Sequence, residues 1–326
     1  MRKADVHFLW QNAHVQTVWG GRLRVLRSNY VQQERLELDD GDFIDVFFGP
    51  ERPGPIVCLL HGLEGSVRGA YMLGLSRALT ASGFQVLAMN HRSCGGTMNR
   101  LAKAYHSGMT EDIAQVFSVM RSRYPDRKRA AVGFSLGGNM LLKYLIERKG
   151  RGDLDAAVIV SPPIDLVGCA NFMGAGLPLF YQFVFLRSLK RKVRAKRSLL
   201  KEQNIDVEQV LQCSDFWTFD DLVTAPLHGF DSALDYYERC STIDQLAEIE
   251  TAHLFLTSQD DPVVGPTCVP PQDRVSSSCD LCVTERGGHV GFVSGGLFGQ
   301  NCWGERKMVS WLETHFSNEM IPNRSG

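Results

Sequence analysis

Ala130-Ala131-Val132-Gly133-Phe134-Ser135-Leu136-Gly137-Gly138-Asn139-Met140-Leu141-Leu142-Lys143-Tyr144-Leu145 passes from a short apolar run directly into a helical pattern, with a serine at the join. Glycines stand two places before and two places after that serine. A serine on a sharp strand-to-helix turn is held at strained backbone angles, and its neighbours must lack side chains if strand and helix are to approach closely. Taken alone the G-x-S-x-G pattern is weak, since roughly 0.2 matches per chain arise by chance from 23 serines and 31 glycines. Its place, at the end of an apolar strand and the start of a helix, gives it weight as a nucleophile turn.

Working outward, Ile56-Val57-Cys58-Leu59-Leu60, Gln85-Val86-Leu87-Ala88-Met89 and Ala157-Val158-Ile159-Val160 repeat the apolar run. Such runs suit strands buried on both faces. Between them Tyr71, Leu75, Ala78 and Leu79, then Ile113, Val116, Phe117 and Met120, recur at helical spacing, with Gly83 and Pro125 where the helices should stop. This β-α alternation predicts a mostly parallel central sheet flanked by helices. Ahead of it, Arg35-Leu36-Glu37-Leu38 and Phe43-Ile44-Asp45-Val46-Phe47 flank Asp40-Gly41 and predict an antiparallel hairpin. Later strands are expected at His253-Leu254-Phe255-Leu256-Thr257 and Leu281-Cys282-Val283-Thr284, and an amphipathic helix from Trp303 to Phe316. The stretch between these blocks is helix-rich, without strand-turn-strand rhythm. The expected division is therefore a core of residues 1–165 and 251–326 and an inserted helical cap of residues 166–250.

Composition narrows the function. The 326 residues carry 35 Lys+Arg against 36 Asp+Glu, a formal charge of −1, which offers no chain-wide field to draw in nucleic acid. Nine cysteines, an odd number in a chain too long to need disulfide staples, fit a reducing, cytoplasmic setting. Polar Gln11-Asn12 interrupts the N-terminal apolar stretch before an export signal would finish. The longest apolar candidate, residues 174–186, falls short of the roughly 20 residues needed to span a bilayer and contains Pro178 and Gln182.

A serine nucleophile needs a base, and the base an orienting carboxylate; on sheets with such a turn both follow the nucleophile, in the order acid then histidine. After the last strand stands Glu285-Arg286-Gly287-Gly288-His289-Val290-Gly291-Phe292, and His289 on this glycine-flanked loop is the expected base. His228, His253 and His315 fall in the cap, at a strand start and in the last helix, where satisfied or solvated histidines are ordinary. For the acid, Gln259-Asp260-Asp261-Pro262 offers adjacent carboxylates that point opposite ways, so one alone can face His289. Asp261, on the turn beyond the strand and fixed by Pro262, is preferred, with Asp260 the alternative. The oxyanion of acyl transfer needs backbone N–H donors, one from the residue after the nucleophile and one from an early loop. Leu136 supplies the first. Leu63, in Leu60-His61-Gly62-Leu63-Glu64-Gly65-Ser66, is the candidate for the second, and His61 is read as a structural histidine of that loop.

With Ser135, Asp261, His289 and the His61-Gly62 loop in place, the sequence resembles an α/β-hydrolase, more narrowly the AB hydrolase 4 family of YheT-like hydrolases. The narrower likeness rests on Gln11-Asn12-Ala13-His14-Val15-Gln16-Thr17-Val18-Trp19, Asn90-His91-Arg92-Ser93-Cys94-Gly95-Gly96, Tyr105-His106-Ser107-Gly108, and the segment from Phe219-Asp220-Asp221 to Tyr236-Tyr237. The resemblance implies serine carboxylesterase or acylglycerol-lipase activity on short-chain or lipid-like esters, with no cofactor or metal. Eukaryotic relatives resembling phospholipases carry a membrane anchor, which this chain is expected to lack. One departure is Cys279-Asp280-Leu281-Cys282 inside the last strand, where plain apolar alternation is expected.

Rival signals are weaker. Cys279-x-x-Cys282 with Cys268 and His289 has zinc-ligand types but no second close pair, and a strand is the wrong place for a thioredoxin-type motif. The pairs Gly95-Gly96 and Gly287-Gly288 match no phosphate-cradling pattern and read as close-approach loops. Residues 187–201 hold Arg187, Lys190, Arg191, Lys192, Arg194, Lys196, Arg197 and Lys201 with no acid. A solvated basic helix face is the plainer account, and peripheral docking on an anionic membrane the alternative. A noncatalytic apolar-ligand binder, and a thioesterase or acyltransferase on the same triad, are the competing functions.

Overall fold

The computed structural model describes residues 8–150, 153–295 and 301–317, so the N-terminal residues 1–7 weighed against an export signal lie outside the described residues. The strands of the main sheet are β1 (Gln32–Glu37), β2 (Phe43–Phe48), β3 (Ile56–Leu60), β4 (Gln85–Met89), β5 (Arg129–Phe134), β6 (Ala156–Val160), β7 (Ala252–Ser258) and β8 (Cys279–Thr284), and a separate antiparallel pair joins β9 (Val293–Ser294) to β10 (Asn301–Cys302). The main sheet has the order β1-β2-β4-β3-β5-β6-β7-β8. Pairing from β4 to β8 is parallel, and β2 runs antiparallel to both β1 and β4. Gly41, at φ +84, makes the hairpin turn between β1 and β2. β2 is buried along its whole length, not alternately exposed, because both of its faces are covered: Ile44, Val46 and Phe48 enter one hydrophobic cluster and Phe47 the other.

The unbroken apolar runs follow from the strand period of two between a pair of dry faces. Ile56, Cys58 and Leu60 of β3 enter one hydrophobic cluster, and Val57 and Leu59 enter the other. Helices α2 (Ala70–Ala81) and α12 (Trp303–His315) cover the second face, through Met72, Leu75, Leu79, Met308, Val309 and Leu312. Helices α3 (Glu111–Arg123) and α4 (Leu136–Arg148) cover the first. α2 ends ahead of Gly83 at φ +86, and α3 ahead of Pro125. Glu111 and Asp112 in the first turn of α3, with Arg121 and Arg123 in its last, complement the helix dipole. A short helix, α1 (Ala13–Val18), precedes the sheet.

Between β6 and β7 the chain makes α5 (Leu166–Met173), α6 (Leu179–Ala195), α7 (Arg197–Glu202), α8 (Val207–Gln212), α9 (Phe216–Phe219), α10 (Ala225–His228) and α11 (Ala233–Cys240). Many of their buried residues, including Tyr181, Leu186, Val193, Leu200, Val210 and Phe216, belong to the cluster on the first sheet face, while Leu166 and Ala170 of α5 and Ala233, Tyr236, Tyr237 and Cys240 of α11 form a smaller cluster of their own. The insertion therefore shares much of its core with the sheet and adds a small one between α5 and α11.

The basic run is split by this packing, so part of it is the solvated face expected from sequence and part is engaged within the fold. Lys192 pairs with Glu64, and Lys196 is buried against Asn99 Oδ1 and the carbonyls of Leu101 and Lys103. Lys190 bonds the Cys213 carbonyl and Arg197 pairs with Glu208, leaving Arg187, Arg191 and Arg194 among the exposed positions. β8 is the edge strand, which accounts for its half-buried Cys279 and Cys282 and its exposed Asp280, the acceptor for Trp311 Nε1. The cysteines are free thiols. Among the described residues no helix is long and apolar enough to cross a membrane, and no cluster of three or more His, Cys, Asp or Glu is arranged to hold a metal ion.

Candidate active site

Ser135 leaves β5 at φ +53 and ψ −124 and opens α4, a backbone conformation that costs a non-glycine residue about 1–3 kcal/mol. The turn is over-determined. Ser135 N–H donates to the Val160 carbonyl at 2.8 Å, while its own carbonyl accepts from Gly138 and Asn139 N–H. A Cβ on Gly133 would sit 2.5 Å from the Gly137 carbonyl oxygen, and one on Gly137 would sit 2.5 Å from that of His61. Both are backbone obstacles that cannot swing aside, so the motif's glycines are required by close approach.

His289 and Asp261 are brought together from successive loops beyond β7 and β8. His289 Nδ1 lies 2.8 Å from Asp261 Oδ2, and both side chains are nearly fully buried, at 6% and 5% exposure. Asp261 Oδ1 accepts from Val263 and Val264 N–H at 2.8 and 3.2 Å, so both carboxylate oxygens are engaged. Asp260 points the other way. Its Oδ1 accepts from Gly287 and Gly288 N–H at 2.9 and 3.0 Å, and Ser258 Oγ donates to the Gly288 carbonyl at 2.7 Å. The two adjacent aspartates thus divide the work: Asp261 meets the imidazole and Asp260 ties down the loop that carries it.

The other support for His289 comes from α1. Thr17 Oγ1 accepts from His289 N–H at 3.0 Å and donates to the Ala13 carbonyl, while Gln16 Oε1 accepts from Val293 N–H at 2.8 Å. The fit depends on missing side chains, since a Cβ on Gly288 would meet the Ala13 carbonyl at 2.5 Å and one on Gly291 that of Gln16 at 2.6 Å. His14 in turn lies 2.9 Å from Tyr181 Oη, linking α1 to α6. Sequence reasoning assigned no role to Gln16 or Thr17; the signal was the pairing of a polar N-terminal segment with a glycine-rich loop, which no local pattern declares.

Around the candidate oxyanion loop, Gly62 N–H donates to Tyr71 Oη and Glu64 N–H to Tyr105 Oη. Neither Leu63 N–H nor Leu136 N–H has an intramolecular acceptor among the described residues. His61 is structural, as its place in the loop suggested. Its Nε2 accepts from His91 N–H, which leaves Nδ1 to carry the proton donated to the Gly62 carbonyl at 2.8 Å. His91 Nε2 donates to the His61 carbonyl at 2.8 Å. Burial pushes His91 down to about 4, and burial together with His91 pushes His61 well below its usual range, so both are neutral at pH 7. His91 is followed by Arg92, which grips Asp112 at 2.7 and 2.8 Å and Asp40 at 2.6 Å and so anchors the Asn90–Gly96 loop to α3 and the hairpin.

Ser135 lies where two cavities meet. An open cleft of about 790 Å³ holds Ser135, His289, Leu63, Asn90 and Gly95, with polar and apolar walls. Beneath the insertion, a chamber of about 150 Å³ is lined by Ser135, Leu136 and mostly apolar side chains, among them Met173, Phe185, Phe216 and Leu227. The arrangement offers a serine on a strained turn, a histidine bound to a carboxylate, free N–H groups, and a mostly apolar chamber beside a more polar cleft. Such a set can perform acyl transfer.

Comparison with known proteins agrees in kind. The family model Hydrolase_4, described as serine aminopeptidase, S33, matches residues 51–289. The protein of Escherichia coli (strain K12) named "Putative esterase YheT" is 36% identical over 94% of this chain and 92% of its own. A monoacylglycerol lipase of Saccharomyces cerevisiae is 32% identical over 85% of this chain and 61% of its own. Among solved structures, the Pyrococcus furiosus esterase Pf2001 superposes with a TM-score of 0.55 at 17% identity, covering 89% of this chain and 90% of its own, a likeness of fold.

Proposed function

The chain belongs to the Hydrolase_4 family, among the YheT-like α/β-hydrolases, and from that membership we propose that it cleaves carboxylic esters through Ser135, His289 and Asp261. Ser135 Oγ attacks the ester carbonyl carbon as its proton passes to His289 Nε2. The tetrahedral oxyanion is held by Leu63 and Leu136 N–H; the intermediate collapses to an acyl-enzyme as His289 returns the proton to the departing alcohol. Water, deprotonated by His289, then adds to the acyl carbon and releases the acid. Asp261 keeps the Nδ1–H tautomer, leaving Nε2 free to accept, and stabilises the imidazolium.

The observation that carries this reading is the buried His289–Asp261 hydrogen bond at 2.8 Å beside a cleft that also contains Ser135. The chamber under the insertion supports a lipid-like substrate, with the acyl chain lodged among Met173, Phe216 and Leu227, the insertion acting as a cap, and the alcohol in the cleft. Relatives named as an esterase and a monoacylglycerol lipase support the same class.

The test is labelling by a fluorophosphonate, with intact mass read for a single adduct. Wild type is expected to gain one adduct and Ser135→Ala none, and an ester panel then ranks acyl lengths. A folded wild type that stays unlabelled and turns over no ester, thioester or added-alcohol acceptor would leave the chamber as a binding site only.

A further inference from the structure

Glu64 poses an electrostatic difficulty for this chemistry. It follows Leu63 directly and lines both cavities that meet at Ser135, so a carboxylate stands near the place where negative charge would develop. Its side chain is only 5% exposed, which leaves little water to screen it. Its backbone sits at φ +53, a region that residues with a side chain seldom occupy. Something must hold this residue there and offset its charge.

Both tasks fall to one face of α6. Ser188 Oγ donates to Glu64 Oε2 at 2.6 Å, and one turn later Lys192 Nζ donates to Glu64 Oε1, which also accepts from Tyr105 Oη at 2.9 Å. Lys192 reaches Cys94 Sγ at 3.2 Å as well, so its ammonium is tied to the cleft wall on a second side. Burial lowers the Lys192 pKa, but Cys94 and Glu64 outweigh burial and leave it above the usual lysine value, so the ammonium is charged at neutral pH. Lys196, one turn on from Lys192 at the C-terminal end of α6, cannot stand in, being committed to Asn99 Oδ1 and the Leu101 carbonyl. A stem crossing an apolar chamber could end in methyl as readily as in ammonium; a charge at its end implies a charge to be met.

We propose that Lys192 is a positioning residue of the oxyanion hole: acting through Glu64, it cancels a carboxylate that would repel the oxyanion, while Ser188 and Tyr105 hold the turn that presents Leu63 N–H. The hole is then complete only while α6 is docked, which couples the insertion to the chemical step. This rests on the reading of Leu63 and Leu136 as the oxyanion donors.

Steady-state kinetics on a soluble p-nitrophenyl ester test it, with wild type, Lys192→Met, Lys192→Arg and the double variant Glu64→Gln/Lys192→Met, each checked by thermal melting. Lys192→Met is expected to lower kcat roughly tenfold to a hundredfold, short of deleting a donor outright, with KM within about twofold. Lys192→Arg should recover most of the loss, because it restores the charge. The double variant should also recover most of it, because a neutral amide no longer opposes the oxyanion. A lost contact alone would leave the double variant as slow as the single one, and that result overturns the proposal, as does an unchanged kcat in Lys192→Met. Should Lys192→Met fail to fold, the folded double variant decides: near wild-type kcat supports the inference and a low kcat defeats it. A wild type that a fluorophosphonate does not label fails the esterase reading itself, whereas labelling with an indifferent Lys192→Met fails this inference alone.

Discussion

At the scale of single residues, the adjacent aspartates carry the sharpest contrast. Asn at position 261 would keep its oxygen on Val263 and Val264 N–H and turn its NH2 toward His289 Nδ1, which would then have to accept. The imidazole proton would move to Nε2 and could no longer be replaced by one from Ser135. Asp261→Asn is therefore expected to lower kcat by roughly 10⁴-fold with little change in melting temperature. Asp260→Ala frees Gly287 and Gly288 N–H instead, and should cost about tenfold in kcat together with some stability, since it loosens the loop and leaves the tautomer intact. Equal losses from the two variants, in stopped-assay kinetics, would contradict this division. Which aspartate faces the histidine was only partly legible in sequence: alternation says that one alone can, but the choice depends on how the chain turns after Ser258, where Pro262 was the sole local clue. Glu64 and Lys192, 128 residues apart, gave no sign of their pairing at all.

Elements were read more easily than their contacts. β3 to β7 and the helices α2, α3, α4 and α12 follow from apolar period and from stops at Gly83 and Pro125, because each buries a face whose chemistry is written locally. The breaks within residues 166–250 were not legible, since short helices that share the sheet's core need no complete stripe of their own. α1 was visible as a motif but not as a brace, its partners being glycines some 270 residues away. At the turn itself a firm expectation arises. In Gly133→Ala the new methyl would lie 2.5 Å from the Gly137 carbonyl oxygen and 2.7 Å from Gly138 Cα, so β5 and α4 must move apart. The expected loss is about 3 kcal/mol or more by urea unfolding, with fluorophosphonate labelling abolished. Gly21→Ala, whose nearest new neighbour is a Val290 methyl at 3.9 Å, should stay within about 0.5 kcal/mol of wild type.

The whole molecule carries a pH dependence of its own, set by histidines outside the proposed triad. Burial holds His91 and His228 down at about 4, and drives His61 and His106 well below the usual histidine value. Neighbouring charge adds to this: His91 on His61, and His228 on His106, whose rings lie 4.3 and 4.6 Å apart. These histidines take up protons near pH 6.5 when the chain is unfolded but refuse them when it is folded. Between about pH 6.5 and 4 the unfolded chain therefore binds more protons, and stability must rise with pH across that window, by up to about 1.4 kcal/mol per unit for each fully shifted group. Asp220 works in the opposite sense. Burial lifts its carboxyl to about 6, so the folded state binds the extra proton between about 3.8 and 6, and its contribution is lost as pH rises. Asp112 and Glu305, also raised by burial, act in the same sense as Asp220, but His253 joins the lowered histidines, which outnumber these carboxyls, and the net expectation is a melting temperature that falls as the pH is lowered from 7 to 5. His228→Gln should flatten that fall, because the replacement has no proton to gain on unfolding. The measurement is the melting temperature at half-unit pH intervals for both proteins at constant ionic strength, read alongside the labelling rate of Ser135 well below the melting point. A flat profile from pH 7 to 5, or a slope unaltered in His228→Gln, would mean that these histidines are not held neutral by their burial.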